Sequence, residues 1–97
     1  MRHAIELAPE AIEDFKRLDA NQRAQVKRAM ETHLRHQPTR TSKSRIKRLS
    51  GIFRPQYRLR VGDLRVFHDV SRRKVEVLAI VVKAEAGTWL ATVGENP

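Results

Sequence analysis

The stretch Tyr57-Arg58-Leu59-Arg60-Val61-Gly62-Asp63-Leu64-Arg65-Val66-Phe67 decides the fold. Tyr57, Leu59 and Val61 alternate with Arg58 and Arg60, a period of two that sends apolar and charged side chains to opposite faces of a strand. Gly62-Asp63 is a turn pair, so Leu64 to Val70 is expected to return beside it. Ser71-Arg72-Arg73 turns the chain again. Val75 to Val82 is the longest apolar run and is expected as the central strand of a three-stranded meander.

Toward the N-terminus, His3, Ile5 and Leu7 alternate with Ala4 and Glu6 and predict a short opening strand. Pro9 and Glu10 suit the first turn of a helix, where proline loses no hydrogen bond and an acid meets the dipole. Ala8, Ala11, Ile12, Phe15 and Leu18 form its apolar stripe. Asp19-Ala20-Asn21 breaks the helix, with Asn21 as the expected N-cap of the next. Val26, Met30, His33 and Leu34 make the second stripe, which stops before Pro38. Two helices so closely joined are expected to form an antiparallel hairpin. Gln37 to Ser50 reads as a polar, basic loop. Beyond the meander, Ala84 to Ala91 predicts a short helix with Trp89 and Leu90 packing back, and the chain from Thr92 is expected to be loose. The expected fold is one α+β domain over residues 1–97. It has an antiparallel sheet, made of the short N-terminal strand plus the meander, a helical hairpin on one face, and a short C-terminal helix.

Composition narrows the partners. The 97 residues carry 20 Lys+Arg against 11 Asp+Glu, a net charge of +9, and the pI is near 11.1. Such a field attracts polyanions: RNA, DNA, an acidic membrane or an acidic protein. From Thr32 to Gly62 there is no acid at all, while Arg35, Arg40, Lys43, Arg45, Lys47, Arg48, Arg54, Arg58 and Arg60 all fall there. Basicity for solubility alone is the bland alternative. No apolar run is long enough to span a membrane, no secretory leader is expected because the N-terminus lacks the charged-then-apolar pattern of one, and the absence of cysteine excludes disulfides and thiolate metal sites. A cytosolic location is expected.

Arg58 and Arg60 should leave one face of their strand, with Arg65 just across the turn. Three guanidinium groups so close repel, which suggests an anion between them; solvated arginines on an open face are the alternative. Lys43, Arg45, Lys47 and Arg48 read as phosphate-backbone contacts or as a flexible solvated loop. His68 faces either the interior or the groove. His33 and His36, spaced i, i+3 on a helix, lack a third ligand, so no metal or other cofactor is expected. No phosphate-binding glycine loop or catalytic triad stands out.

The opening strand followed by Ala8-Pro9-Glu10-Ala11, then Ile46-Lys47-Arg48-Leu49-Ser50-Gly51 and the arginine-bearing hairpin, resembles the RelE/ParE toxin superfamily over nearly the whole chain. The resemblance implies a toxin of a type II toxin–antitoxin pair, held inactive by an antitoxin in a hetero-oligomer. RelE-like members cleave messenger RNA on the ribosome without metal; ParE-like members inhibit DNA gyrase. The expectation taken here is the nuclease, with mRNA and the ribosome as partners; a gyrase inhibitor, or a catalytically weakened RNA- or antitoxin-binding relative, is the alternative. In RelE-like nucleases the first hairpin strand typically carries two lysines and the next an arginine. Arg65 matches that arginine, Arg58 stands at one lysine position and Gln56 at the other. Near the C-terminus, Lys83, Ala84, Glu85 and Trp89 stand where an arginine and a tyrosine are usual. Arg58, Arg65, Lys83 and Glu85 are therefore the expected catalytic set. Lys43, Arg45, Lys47, Arg48, Arg54, Arg60 and Trp89 are the expected RNA contacts, with Trp89 also readable as a helix anchor.

Overall fold

The computed structural model describes residues 2–95. The arginine-bearing hairpin forms as read: β3 (Tyr57–Val61) and β4 (Leu64–Val70) are antiparallel, with Val61 opposite Leu64. Gly62 has φ of 55° while Asp63 stays at negative φ, as a hairpin turn of type II′ requires. The sheet also contains β1 (Ala4–Leu7), β2 (Ile46–Arg48) and β5 (Lys74–Val82), in the order β1-β5-β4-β3-β2.

Two features differ from the sequence reading while the α+β class stands. The sheet is mixed, because β1 runs parallel to β5 with Ile5 opposite Val75 and Leu7 opposite Val77. The central strand is therefore β4, with β5 one place out. The expected 37–50 loop also contains β2, which pairs with β3 through Ile46 and Leu59. Ile46 is the one side chain of β2 that reaches the core, while Lys47 and Arg48 are exposed on the sheet edge, where charge discourages further pairing.

Helices α1 (Pro9–Arg17) and α2 (Ala20–His33) cover one face. Pro9 begins α1, and Ala11 is its buried residue; Ile12, expected in the apolar stripe, is 41% exposed. The N-cap of α2 is Asp19 and not Asn21. Its Oδ1 accepts from the Gln22 amide at 2.7 Å, and the Gln22 side chain accepts from the Asp19 amide at 3.1 Å. That reciprocal pair satisfies two otherwise orphaned donors. Val26, Met30 and Leu34, spaced four apart, are buried against Ile46, Leu59, Val61 and Val66. Both helices feed this one cluster, α1 packing on β5 and α2 on β3. Leu34, Leu59 and Phe67 are fully buried, each stabilising the fold by about 1.5–3 kcal/mol.

The other face is half covered. Helix α3 (Lys83–Val93) packs on β4 and β5, and Trp89 stacks on Phe67 with ring centroids 4.8 Å apart. The segment after Thr92 is tied down to residue 95: Phe53 and Glu95 share a backbone hydrogen bond of 2.6 Å, and Glu95 bridges Arg54. Among the described residues, no helix is long and apolar enough to cross a membrane.

Candidate functional site

Strand alternation puts Arg58, Arg60, Arg65 and Phe67 on the α3 side of the sheet, opposite the core face that carries Leu59, Val61 and Val66. Across the hairpin, Arg60 lies directly opposite Arg65 and Arg58 opposite Phe67. Lys47 of β2 lies opposite Arg58 from the other side. Like charges in facing positions destabilise a sheet, yet no carboxylate pairs with Lys47, Arg58, Arg60 or Arg65 among the described residues. Asp63, adjacent in the turn, makes no ion pair among the described residues.

The three arginines are held differently. Arg65 is 6% exposed, and its Nη1 donates to the carbonyls of Gly62 and Leu64 at 2.9 Å each. It is braced by the turn it follows. Arg58 is half-buried, and its Nε has no hydrogen-bond partner. Burial first, then the fields of Arg65 and Arg60, hold the Arg58 guanidinium below its usual range. Arg60 is exposed. The result is a cationic floor with one buried donor unsatisfied. Beside it Trp89 stacks over the fully buried Phe67.

The other expected residues scatter. Lys83 opens α3, and its amide donates to the Asp63 carbonyl at 2.8 Å, which brings the start of α3 beside the hairpin turn. Glu85 is exposed in the first turn of α3 and makes no ion pair with the arginines. Trp89 serves as the helix anchor on Phe67. Arg48 turns to the core side, its guanidinium 5.1 Å over the Tyr57 ring. Lys43 is exposed in the loop, and Arg45 lies in a hollow at the foot of α2.

Arg54 is engaged within the fold. Its Nε donates to Asp69 and its Nη2 to Glu76, both at 2.6 Å. Hydrogen bonding to Asp69 raises its pKa. This removes the arginine from the unneutralised set.

His68 is fully buried and faces the core side, stacked on Tyr57 at 5.5 Å, with its Nε2 3.3 Å from the Pro38 carbonyl. Burial lowers its pKa. No group of three potential metal ligands occurs among the described residues. Phe67 is the site residue that the residue-by-residue reading passed over; its place two residues after Arg65 is the signal that it shares the arginine face.

The fold is one already seen in toxin–antitoxin complexes. A chain of the archaeal RelE–RelB complex from Pyrococcus horikoshii superposes with a TM-score of 0.71 at 19% identity, covering 89% of this chain and 100% of that one. The RelB–RelE antitoxin–toxin complex of Methanococcus jannaschii gives 0.67 at 19% identity, with 87% and 96% covered. The RelBE2 toxin–antitoxin complex of Mycobacterium tuberculosis gives 0.66 at 19%, with 84% and 99% covered. A search of curated protein sequences finds no match. The profile of the ParE toxin of the type II toxin–antitoxin system, parDE, matches residues 5–86. The chain belongs to this toxin family.

Proposed function

We propose that the protein is a RelE-like toxin that cleaves messenger RNA on the ribosome and is neutralised by a cognate antitoxin covering its basic face. The observation that carries this reading is the convergence of Lys47, Arg58, Arg60 and Arg65 with no paired carboxylate among the described residues, one buried guanidinium donor being left without a partner there. Such a floor suits a phosphodiester, whose charge grows as the 2′-oxygen attacks and the phosphorane forms. Arg65, braced by two carbonyls, is a fixed donor; Arg58 supplies the Nε that an incoming phosphate oxygen would satisfy. In this reading the Glu85 carboxylate removes the 2′-hydroxyl proton and the Lys83 ammonium, at the start of α3, protonates the departing 5′-oxygen. The ribosome would bring the scissile phosphate to them.

A specific observation favours a second reading, inhibition of DNA gyrase. The matching family profile is that of ParE toxins, and among the described residues no carboxylate pairs with Arg58, Arg60 or Arg65. Induced expression separates the two. The nuclease reading expects translation to stop and messages to carry cuts at codon intervals. Intact messages in arrested cells, with loss of DNA supercoiling activity, would contradict it.

A further inference from the structure

A second cationic site lies away from the arginine face, where the chain leaves α2 and returns to β2. Here a hollow of about 290 Å³ is walled by Thr32 and His33 from α2, Arg40 and Ser42 from the loop, and Arg45 and Ile46 entering β2. No lining residue is acidic, and neither Arg40 nor Arg45 joins an ion pair among the described residues.

We propose that this hollow binds a phosphate group, held by the guanidinium groups of Arg40 and Arg45, the His33 imidazole and the Ser42 and Thr32 hydroxyls. Two planar donor forks with flanking hydroxyls supply enough donors for the several oxygens of a tetrahedral oxyanion. The loop is organised in advance. Arg45 N donates to Ser42 Oγ at 3.0 Å, Ser42 N to the Ile46 carbonyl at 2.9 Å, and Arg40 Nη1 to Gln37 Oε1 at 2.9 Å. The bond between His68 and the Pro38 carbonyl anchors its base. His33 lines the same hollow as Arg45, and burial first, then the Arg45 charge, hold its imidazole below the usual range.

The hollow and the arginine floor adjoin across the sheet edge, since the Arg45 carbonyl accepts the amide of Arg60 at 2.9 Å. The phosphate can come from a nucleic-acid backbone rounding that edge or from a free phosphate ion. The site does not depend on the nuclease reading, and its test is independent of cleavage.

Inorganic phosphate is titrated into the isotope-labelled full chain, following the His33 imidazole signals against a chloride control of equal ionic strength. The expected result is a saturable His33 shift that weakens at least tenfold in Arg40→Gln and in Arg45→Gln, and is unchanged in Arg58→Gln. Both substituted arginines are exposed, and thermal melting confirms that each variant folds. Movement of the same signals by a 2′-O-methyl RNA oligonucleotide assigns the site to the nucleic-acid track. Movement by phosphate alone assigns it to the free ion; either result upholds the proposal. No saturable shift beyond the chloride control, or equal binding by the Arg40 and Arg45 variants, overturns it. Failure of Arg58→Gln to affect RNA cleavage would count against the nuclease reading and leave this site standing.

Discussion

Arginines occupy both ends of the sheet face on which α3 packs, and the two ends are built differently. At one, Arg54 is gripped by Asp69 and Glu76. About 13 Å away along β4, Arg65 sits with Arg58 and Arg60 and meets no carboxylate among the described residues. The residue type is the same, so the difference lies in the partners. A guanidinium with two acids is part of the fold's own electrostatics. A cluster without acids raises the energy of the empty protein and lowers it when a polyanion arrives.

The largest contrast should come from Arg58→Gln. It removes the unsatisfied donor and is expected to reduce RNA cleavage roughly 100- to 1,000-fold, measured on programmed ribosomes. Its melting temperature should hold or rise, because a repelling buried charge has gone. Asp69→Ala should do the reverse. It strips Arg54 of a partner and the Gln56 amide of an acceptor at 2.7 Å, and is expected to cost about 2 kcal/mol in denaturant unfolding. Cleavage per folded molecule should stay unchanged. If the two variants behave alike, the contrast between the two ends is broken.

His68 extends the contrast to the core side, where its Nδ1 is buried without a partner. Burial lowers its pKa, against a weaker upward pull from its bond to the Pro38 carbonyl and from the charge of Asp69. The unfolded chain therefore takes up the proton first as pH falls. The stability that the neutral ring provides is present above about pH 6.5 and is lost below it, by at most about 1.4 kcal/mol per pH unit. His68→Phe should flatten that acid-side slope in unfolding curves, leaving the part due to His33, which burial also lowers. The smallest effect belongs to Lys47→Glu, which sets a carboxylate opposite Arg58. It should stabilise the sheet by about 0.5 kcal/mol and weaken RNA binding, making the second end resemble the first.

Much of this was readable from local pattern. The hairpin and its arginine face follow from a period of two, and Pro9 and the apolar stripes mark the helices. What local pattern does not carry is pairing at long range. The parallel contact of β1 with β5 joins Ala4 to Lys74, and nothing near either residue signals it. Strand β2 offers three residues, two of them cations, too few for an alternation to stand out. Asn21 looked like a cap because its side chain suits one; Asp19 takes the place because Gln22 lies three residues on. Arg54 resembled its neighbours because the acids that hold it are 15 and 22 residues away. The convergence of Arg58, Arg60 and Arg65 was legible because all three lie within one hairpin, whereas the placing of Glu85 depended on where α3 would dock.

The most direct measurement is the salt dependence of binding to a 2′-O-methyl single-stranded RNA, which the protein cannot cut. Each phosphate contact contributes about 0.7 to the slope of log affinity against log salt. The double variant Arg58→Gln/Arg60→Gln should flatten that slope by about 1.4, while Arg54→Gln leaves it as in the parent. An unchanged slope in the double variant, or an equal loss in Arg54→Gln, would mean that the unpaired arginines do not grip phosphate.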